Sequence, residues 1–225
     1  MTKILGKGNQ IVFKTKNGHF IENSDFYKNA QINIIGENNY VEFYLEEEKD
    51  IKDWVENPGL QISICGNRNK VILGNLSIGY NPDLGINGLN LIVGGKADPW
   101  IDPLKPRSAN DCIITVGNHT LINGMVMYLQ DDHSSVTVGD DCMFSWGIDI
   151  WCSDVHTITD LNGKPLNFGH KIEIGNHVWV GKDVKIGKNT KICNDSIIGW
   201  NSLVTKKFAE SNVIIAGMPA IIVKR

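Results

Sequence analysis

The chain of 225 residues has no continuous run of about 18 apolar residues, so it contains no candidate transmembrane helix. Its first residues lack the apolar stretch of a signal peptide, which predicts a cytoplasmic protein. The five cysteines form no C-x-x-C pair and are odd in number, so we expect reduced, mostly buried thiols. The net charge is only −3, so there is no overall basic field of the kind that predicts nucleic-acid binding.

The composition is typical of a globular protein, because 42% of the residues are hydrophobic and 21% are charged. The length is sufficient for one sizeable core and short for two ordinary domains, so we expect a single domain over 1–225. Charge is distributed unevenly, with a balance of −9 in residues 1–162 and +6 in residues 163–225. A basic C-terminal third indicates either a local anionic ligand or a solvated lysine-rich face.

Aliphatic residues recur at every sixth position in the last third of the chain, and this is the strongest signal in the sequence. The second position of each hexad is mostly glycine, and the fifth is small or β-branched. Such hexapeptide repeats are typical of a parallel β-helix, in which each hexad forms a short strand and a corner. We expect the glycines near corners, where they permit backbone angles that other residues resist. The aliphatic positions are Ile174, Val180, Ile186, Ile192, Ile198 and Val204, and the fifth positions are Val178, Val184, Thr190, Ser196 and Ser202.

The same register extends towards the N-terminus with interruptions. Val138 precedes Ile174 by a whole multiple of six positions, so residues 153–171 are expected to leave the coil and rejoin it in register. Proline is absent from 166–218, as a fully hydrogen-bonded stack of strands requires.

The first half of the chain predicts less regular coils. Residues 1–112 are interpreted as early coils with insertions, ahead of a regular repeat over 113–225. One insertion, residues 46–59, could hold a helical turn, and residues 79–109 are interpreted as a long loop because they are rich in Gly, Asn and Pro. Three similar segments recur at an equal spacing and begin at Gly6, Gly36 and Gly66.

Four motifs follow one another in the regular half, at residues 152–160, 174–181, 202–206 and 216–220. In these motifs the chain resembles the hexapeptide-repeat acyltransferases, and its pattern is closest to the sugar and capsular-polysaccharide O-acetyltransferases, kin of the maltose and galactoside enzymes. The resemblance implies an all-β, left-handed parallel β-helix, although crossover rules alone favour the right hand. It also implies a homotrimer with active sites between subunits, acetyl-CoA as acyl donor and a sugar or glycan as acceptor.

Acetyl transfer to a hydroxyl needs a base, a donor for the oxyanion and a groove that aligns both substrates. His156 lies where the repeat is interrupted and a side chain can leave the core, and the resemblance makes it the general base. Asp154 shares a face with His156 in an extended segment, so it could orient the imidazole or accept a bond from the sugar. Asp160 is the competing partner, and both carboxylates could instead be solvated. Val155 stands where the subgroup often has Gly.

Further acceptor-binding candidates flank this motif. Asp132 belongs to an acidic pair that, by resemblance, meets the acceptor across the active site, although a turn role fits equally well. Asp160 and Trp151 are the other two candidates. His119 and His177 lie next to corners of the predicted coil, and we interpret them as structural.

The resemblance also implies where coenzyme A binds. Its pantetheine arm is expected to follow the coil edges and bond backbone amides, which glycine lets it approach closely. Two tryptophans would flank the thioester and cover the arm or adenine, unless they are simply exposed corner aromatics. Basic residues after the last repeat would neutralise the phosphates. The candidates are Trp179, Gly181, Gly199, Trp200, Thr205, Lys206, Lys207 and Arg225, with Lys224 beside them.

Three alternatives stay open. A γ-class carbonic anhydrase on the same fold would need three histidines on zinc, and the spacing of the six histidines does not match that motif, so no metal is expected. A non-catalytic assembly subunit would use the β-helix as a scaffold, against which the intact His156 motif argues. An N-acetyltransferase acting on an amino sugar would use the same residues.

Overall fold

The computed structural model describes residues 2–18, 20–21, 30–46, 57–95, 108–167 and 170–225. Within them, 23 short strands, numbered β1 to β23 along the chain, form three sheets around one apolar core. Almost all neighbouring strands are parallel, so the expected all-β parallel β-helix is confirmed. The residues of the proposed helical turn, 47–56, lie outside the described part of the chain.

Sheet A has eight strands, and each pairs in parallel with the strand of the next coil. Alternate side chains point into the core, as in β12, where Met125, Met127 and Leu129 are buried. The strands of sheet A are β1 (Lys3–Leu5), β4 (Gln31–Ile35), β6 (Leu60–Cys65), β9 (Gly88–Val93), β12 (Gly124–Leu129), β15 (Ile148–Trp151), β18 (Lys185–Gly187) and β21 (Leu203–Val204).

Sheet B also has eight strands, which are parallel except where β3 turns back against β2. The strands of sheet B are β2 (Gln10–Thr15), β3 (Phe20–Ile21), β5 (Tyr40–Leu45), β7 (Lys70–Leu73), β10 (Ile113–Val116), β13 (Ser135–Val138), β16 (Lys171–Ile174) and β19 (Lys191–Ile192).

Sheet C has seven strands and ends in an antiparallel hairpin of β22 and β23. A short 3-10 helix, Pro82–Leu84, lies between its first strand and β9. The strands of sheet C are β8 (Leu76–Ile78), β11 (Thr120–Ile122), β14 (Met143–Phe144), β17 (Trp179–Val180), β20 (Ile197–Ile198), β22 (Ile214–Gly217) and β23 (Ala220–Lys224).

The hexad columns form the core, as the repeat predicts. Every aliphatic first position from Ile174 to Val204 is at most 2% exposed, and so is every fifth position from Val178 to Ser202. The buried aliphatic side chains of the first positions supply the main driving force for closing so narrow a coil. The prediction of an aliphatic interior lined by small fifth residues is therefore confirmed.

The interrupted coil rejoins in register. Val138 in β13 pairs with Ile174 in β16, and Met143 pairs with Trp179, so the two pairs have the same separation along the chain. In the next coil that separation is half as long, as in the pair Trp179 and Ile197. The segment that follows Trp151 therefore lengthens one coil by three whole hexads without shifting the stack, as expected.

The early glycines stack on one another. The amide of Gly36 donates to Leu5 O, and that of Gly66 donates to Ile35 O. A β-carbon on Gly36 would lie 1.8 Å from Gly66 O, and one on Gly6 would lie 1.9 Å from Gly36 O. The equal spacing of these glycines thus marks successive coils at a corner with no room for a side chain, which confirms the interpretation of these segments.

The interpretation of 79–109 as one long loop is wrong for residues 88–93. They form β9, which pairs with β6 on one side and β12 on the other. Leu89, Leu91 and Val93 are buried in strict alternation, and this pattern of period two outweighs the neighbouring Gly and Asn residues. Residues 96–107 of that segment lie outside the described part of the chain.

The expected role of the hexad glycines at corners is also wrong. Gly175, Gly181, Gly187 and Gly199 do not have the positive φ that only glycine tolerates easily. Gly175 is required for space instead, because a β-carbon there would lie 2.3 Å from an oxygen of the next coil. The corners are turned at the fourth position, where φ is between 54 and 59°, at His177, Asp183, Asn189, Asp195 and Asn201.

The remaining structural expectations can be placed on these corners and on the core. His119 and His177 have φ of 54° and exposed rings that contact carboxylates of other coils, so both are corner residues. All five cysteines are free thiols, three of them buried and two, Cys65 and Cys193, half-buried. In the described residues, no helix is long and apolar enough to span a bilayer.

Candidate functional site

The insertion that follows β15 carries the proposed general base. Cys152 and Ser153 are still buried, and from Asp154 the chain turns outward. His156 is exposed, and its amide donates to Asp154 O at 2.7 Å. Val155 between them has a φ of 66°, which bends the backbone sharply at this point.

Asn167 holds the outer side of this bend. Its Nδ2 donates to both the His156 carbonyl and Asp154 Oδ2, each at 2.8 Å, and its Oδ1 accepts from the Ile158 amide at 2.8 Å. One side chain therefore joins the two ends of the insertion around His156.

Asp154 faces Lys188 rather than the imidazole. The Lys188 ammonium and Asn167 Nδ2 both donate to Asp154 Oδ2. Although partial burial acts in the opposite direction, these donors hold the pKa of Asp154 below its usual value. Among the described residues, no hydrogen bond joins the His156 ring to Asp154 or Asp160, so the proposed orienting role of either carboxylate stays a prediction.

A second set of contacts holds the inner side of the bend. Ser153 Oγ donates to Asp131 Oδ2 at 2.6 Å and accepts from the Val155 amide at 2.8 Å. His170 Nε2 lies 3.2 Å from the same Asp131 oxygen, and its side chain is fully buried. Burial, with the nearby Lys188 ammonium, lowers the pKa of His170.

A cavity of about 370 Å³ opens beside the insertion, at the ends of β15, β18 and β21. The Trp151 ring forms one wall and stacks on Tyr128 with ring centroids 4.2 Å apart. Gly187, the register partner of Trp151, has no side chain to fill the space beside it. The cavity is lined by Trp151, Ser153, Asp154, Gly187, Lys188, Asn189 and Thr205. It therefore brings together a predicted acceptor residue, the predicted carboxylate and a predicted cofactor residue.

The other two predicted acceptor carboxylates accept hydrogen bonds from other residues of the chain. Asp160 Oδ1 accepts from the amides of Asn162 and Lys164, at 2.9 and 2.8 Å, and so closes a turn within the insertion. Asp132 Oδ1 accepts from the backbone and side chain of Asn110, at 2.8 and 3.0 Å. The contact of Asp132 joins two successive coils, and both its turn role and acceptor binding by either residue stay predictions.

The predicted cofactor residues of sheet C lie on another side of the coil. Trp179 and Trp200 are 43% and 69% exposed. A β-carbon on Gly181 would lie 2.5 Å from Trp200 Cδ1, so this glycine makes room for the indole. The amides of Gly181 and Gly199 already donate to Ile198 O and Ile215 O. The close approach of a pantetheine arm that these two glycines were expected to allow stays a prediction.

The predicted phosphate-binding residues differ in how free they are. Arg225 donates twice to Glu210, at 2.6 and 2.9 Å, and is already paired. The Lys206 ammonium lies 5.4 Å from the centre of the Phe208 ring, and the backbone of Lys207 forms a parallel bridge with Lys191 of sheet B. A hydrogen bond from Lys171, with Lys191 and Lys207 nearby, lowers the pKa of Glu173.

Sequence reasoning missed Asn167, Lys188 and His170, and it did not connect Ser153 with Asp131, the neighbour of Asp132 in the acidic pair. They meet across coils and have no fixed spacing in the sequence. Within the described residues, no group of three or more His, Cys, Asp or Glu side chains is arranged to hold a metal ion.

Residues 171–206 match the family model for the bacterial transferase hexapeptide, described as six repeats. The match covers β16 to β21, the part in which each coil takes three hexads and carries no insertion.

The chain is similar to a curated relative, the polysialic acid O-acetyltransferase of Neisseria meningitidis. The two are 31% identical over 116 residues, which is 51% of this chain and 53% of that protein. The chain thus matches about half the length of this relative.

Two solved structures have the same fold. The polySia-specific acetyltransferase NeuO aligns over all of this chain and 86% of its own, with a TM-score of 0.60 and 23% identity. The polysialic acid O-acetyltransferase OatWY aligns over all of this chain and 89% of its own, with a TM-score of 0.59 and 22% identity. The left-handed parallel β-helix that the resemblance implied is confirmed.

Proposed function

We propose that this chain is an acetyl-CoA-dependent O-acetyltransferase that acts on a hydroxyl of a sugar or surface polysaccharide. The observation that carries the proposal is the 31% identity to a polysialic acid O-acetyltransferase over 116 residues. Polysialic acid, the acceptor in that relative's name, is therefore the first acceptor to test.

His156 is the proposed general base. Its ring is exposed at the bend of the insertion, while its backbone is held by Asp154 O and Asn167. A neutral imidazole nitrogen takes the proton of the acceptor hydroxyl as that oxygen attacks the thioester carbonyl carbon. When the carbon–sulfur bond breaks, the imidazolium returns the proton to the departing sulfur.

The cavity beside the insertion is the proposed acceptor site. The exposed Trp151 face suits the apolar side of a sugar ring, and the polar groups of Ser153 and Asn189 line the same space. The ion pair of Asp154 and Lys188 at its edge can exchange partners with hydroxyl or carboxylate groups of a glycan.

The donor site is proposed to include Thr205 beside Gly187, where the absence of a side chain leaves room for a narrow thioester arm. Coenzyme A supplies the acetyl group as a co-substrate. Trp179 and Trp200 lie on sheet C, away from this cavity in one chain. In a homotrimer, sheet C of a neighbour can face the cavity and complete it, so we propose that the active unit is a trimer.

An acceptor screen tests the proposal. The wild-type chain is incubated with acetyl-CoA and, separately, polysialic acid, a neutral polysaccharide, free sugars and an amino sugar, and released thiol is measured. We expect thiol release above hydrolysis with a hydroxyl acceptor, and a product that loses acetate in mild alkali. A product stable to mild alkali would show N-acetyl transfer instead, and no acceptor-dependent thiol release would overturn the proposal.

A further inference from the structure

A buried histidine beneath the insertion has no part in the acyl transfer described above. His170 directly precedes β16, and its carbonyl accepts from the Ser135 amide of the preceding coil. The residues at this place in the preceding coils are Ser134, Cys112 and Asn69, which are also buried. An imidazole is thus placed inside a corner that smaller side chains fill elsewhere.

The ring of His170 is poorly satisfied apart from one carboxylate. Among the described residues, neither ring nitrogen makes a hydrogen bond of good geometry, and Nε2 lies 3.2 Å from Asp131 Oδ2. Asp154 and Lys188 are the other charged groups that act on the ring. Burying a polar ring without full compensation costs free energy, and such residues persist where the fold or the function over-determines them.

One oxygen connects this ring to the proposed base. Asp131 Oδ2 receives the Ser153 hydroxyl at 2.6 Å, and Ser153 Oγ receives the Val155 amide at 2.8 Å. Val155 immediately precedes His156 and has a left-handed backbone, which a β-branched residue adopts only under constraint. The path from the buried ring to the bend therefore consists of three contacts, all at 3.2 Å or less.

We propose that His170 and Asp131 are positioning residues that hold the His156 bend through Ser153. His170 fixes the direction of the Asp131 carboxylate, the carboxylate fixes the Ser153 hydroxyl, and the hydroxyl fixes the Val155 amide. The inference deepens the proposed function and rests on it, because a base must be held within a fraction of an ångström of its productive place.

The kinetic test compares two variants of the buried ring. His170→Gln keeps an N–H group near the place of Nε2, whereas His170→Leu removes it. We expect His170→Leu to lower kcat about 10- to 100-fold with the KM for acetyl-CoA within about twofold, and His170→Gln to restore most of kcat. Adding Ser153→Ala to His170→Leu is expected to cost little more, because both act along one path.

Thr190→Val is the matched control. Thr190 is also buried, and its hydroxyl donates to Val204 O at 3.3 Å, away from Asp131 and Ser153. This variant loses a buried hydrogen bond in the next coil and is expected to keep kcat. Equal losses of kcat in Thr190→Val and His170→Leu would mean that both act only through stability, which overturns the inference.

Hydrogen exchange at the Val155 amide gives a readout that does not depend on activity. We expect the exchange rate to rise about tenfold or more in His170→Leu, Asp131→Asn and Ser153→Ala, and to be unchanged in Thr190→Val. If the wild-type protein acetylates no acceptor but the exchange of the Val155 amide responds as stated, the proposed function is wrong, while the structural link from His170 to Val155 is supported. The inference is overturned if His170→Leu keeps the wild-type kcat, or if the exchange rate of the Val155 amide is unchanged in this variant. If His170→Leu does not fold, the same two measurements on Ser153→Ala test the inference.

Discussion

At the scale of single residues, Val155 shows strain next to the proposed base. Its φ of 66° costs a residue with a β-carbon roughly 1–2 kcal/mol relative to glycine. We expect Val155→Gly to raise the free energy of unfolding by about 1 kcal/mol. This net gain is smaller than the strain relieved, because glycine also increases the conformational entropy of the unfolded chain. Urea unfolding measures this. Val155→Ala keeps the β-carbon and is the control, so equal stabilisation by both variants would contradict the strain.

The basic C-terminal residues differ in a way that the sequence did not predict. Arg225 is paired with Glu210, while Lys206 and Lys207 have no carboxylate partner among the described residues. We expect Lys206→Ala with Lys207→Ala to raise the KM for acetyl-CoA about tenfold, because charge-assisted contacts to phosphates are lost. Added salt should weaken wild type more than this double variant. Initial rates at varied acetyl-CoA measure the change.

Arg225→Ala is the matched control for that pair, and its KM should stay within about twofold of wild type. A short thioester donor without the nucleotide should be used equally by all three proteins. If Arg225→Ala raises the KM as much as the lysine pair does, Arg225 leaves Glu210 to bind phosphate.

The residue types predicted which side chains form the core, but they did not predict why the second position of the hexads is mostly glycine. The aliphatic columns follow directly from burial, so Ile174 and Val180 could be placed from the pattern alone. The corner position could also have been read from the fourth column, because Asp and Asn at Asp183 and Asn189 favour a left-handed backbone. Asn167 and His170 could not be predicted, since their partners are set by how an irregular insertion folds.

At the scale of elements, the early coils can stack only because glycine stands where they meet at one corner. Gly36 has a φ of 138° and no space for a β-carbon, which would lie 1.8 Å from Gly66 O. We expect Gly36→Ala to lower the free energy of unfolding by more than about 3 kcal/mol, because both the backbone and the next coil must move. Thermal or urea unfolding provides the measurement.

Gly18→Ala separates backbone strain from the clash. Gly18 also has a positive φ, of 75°, but a β-carbon there would meet nothing within 4 Å. Only strain remains, so the loss should be about 1 kcal/mol. Similar losses at the two glycines would show that the collision between coils is not the cause.

Strand β9 shows where reasoning from residue types failed at this scale. Turn-forming residues around 88–93 favoured a loop, but the alternation of Leu89, Leu91 and Val93 fits a strand that covers the core between β6 and β12. Pairing on both sides overrides the local preference of Gly and Asn. The return of the insertion after Trp151 was predicted correctly. An insertion that rejoins the stack in register must lengthen the coil by a whole multiple of six residues.

At the scale of the whole molecule, the predicted site residues fall into two groups on different sides of the coil. Trp151 and Thr205 line the cavity, whereas Trp179 and Trp200 lie at sheet C. We expect a trimer in solution, measured by sedimentation equilibrium, because the second group could then face the cavity of a neighbouring subunit. A stable monomer with full acetyl-transfer activity would show that one chain suffices.

The central claim is acyl transfer with His156 as the base, and it is tested most directly by the turnover number of His156→Ala. With acetyl-CoA and the acceptor that the screen identifies, we expect kcat to fall at least about 100-fold while the KM for acetyl-CoA stays nearly unchanged. His177→Ala, which removes an exposed corner imidazole, should keep wild-type turnover. If His156→Ala turns over as fast as wild type, His156 is only a residue of an exposed bend and the mechanism is wrong.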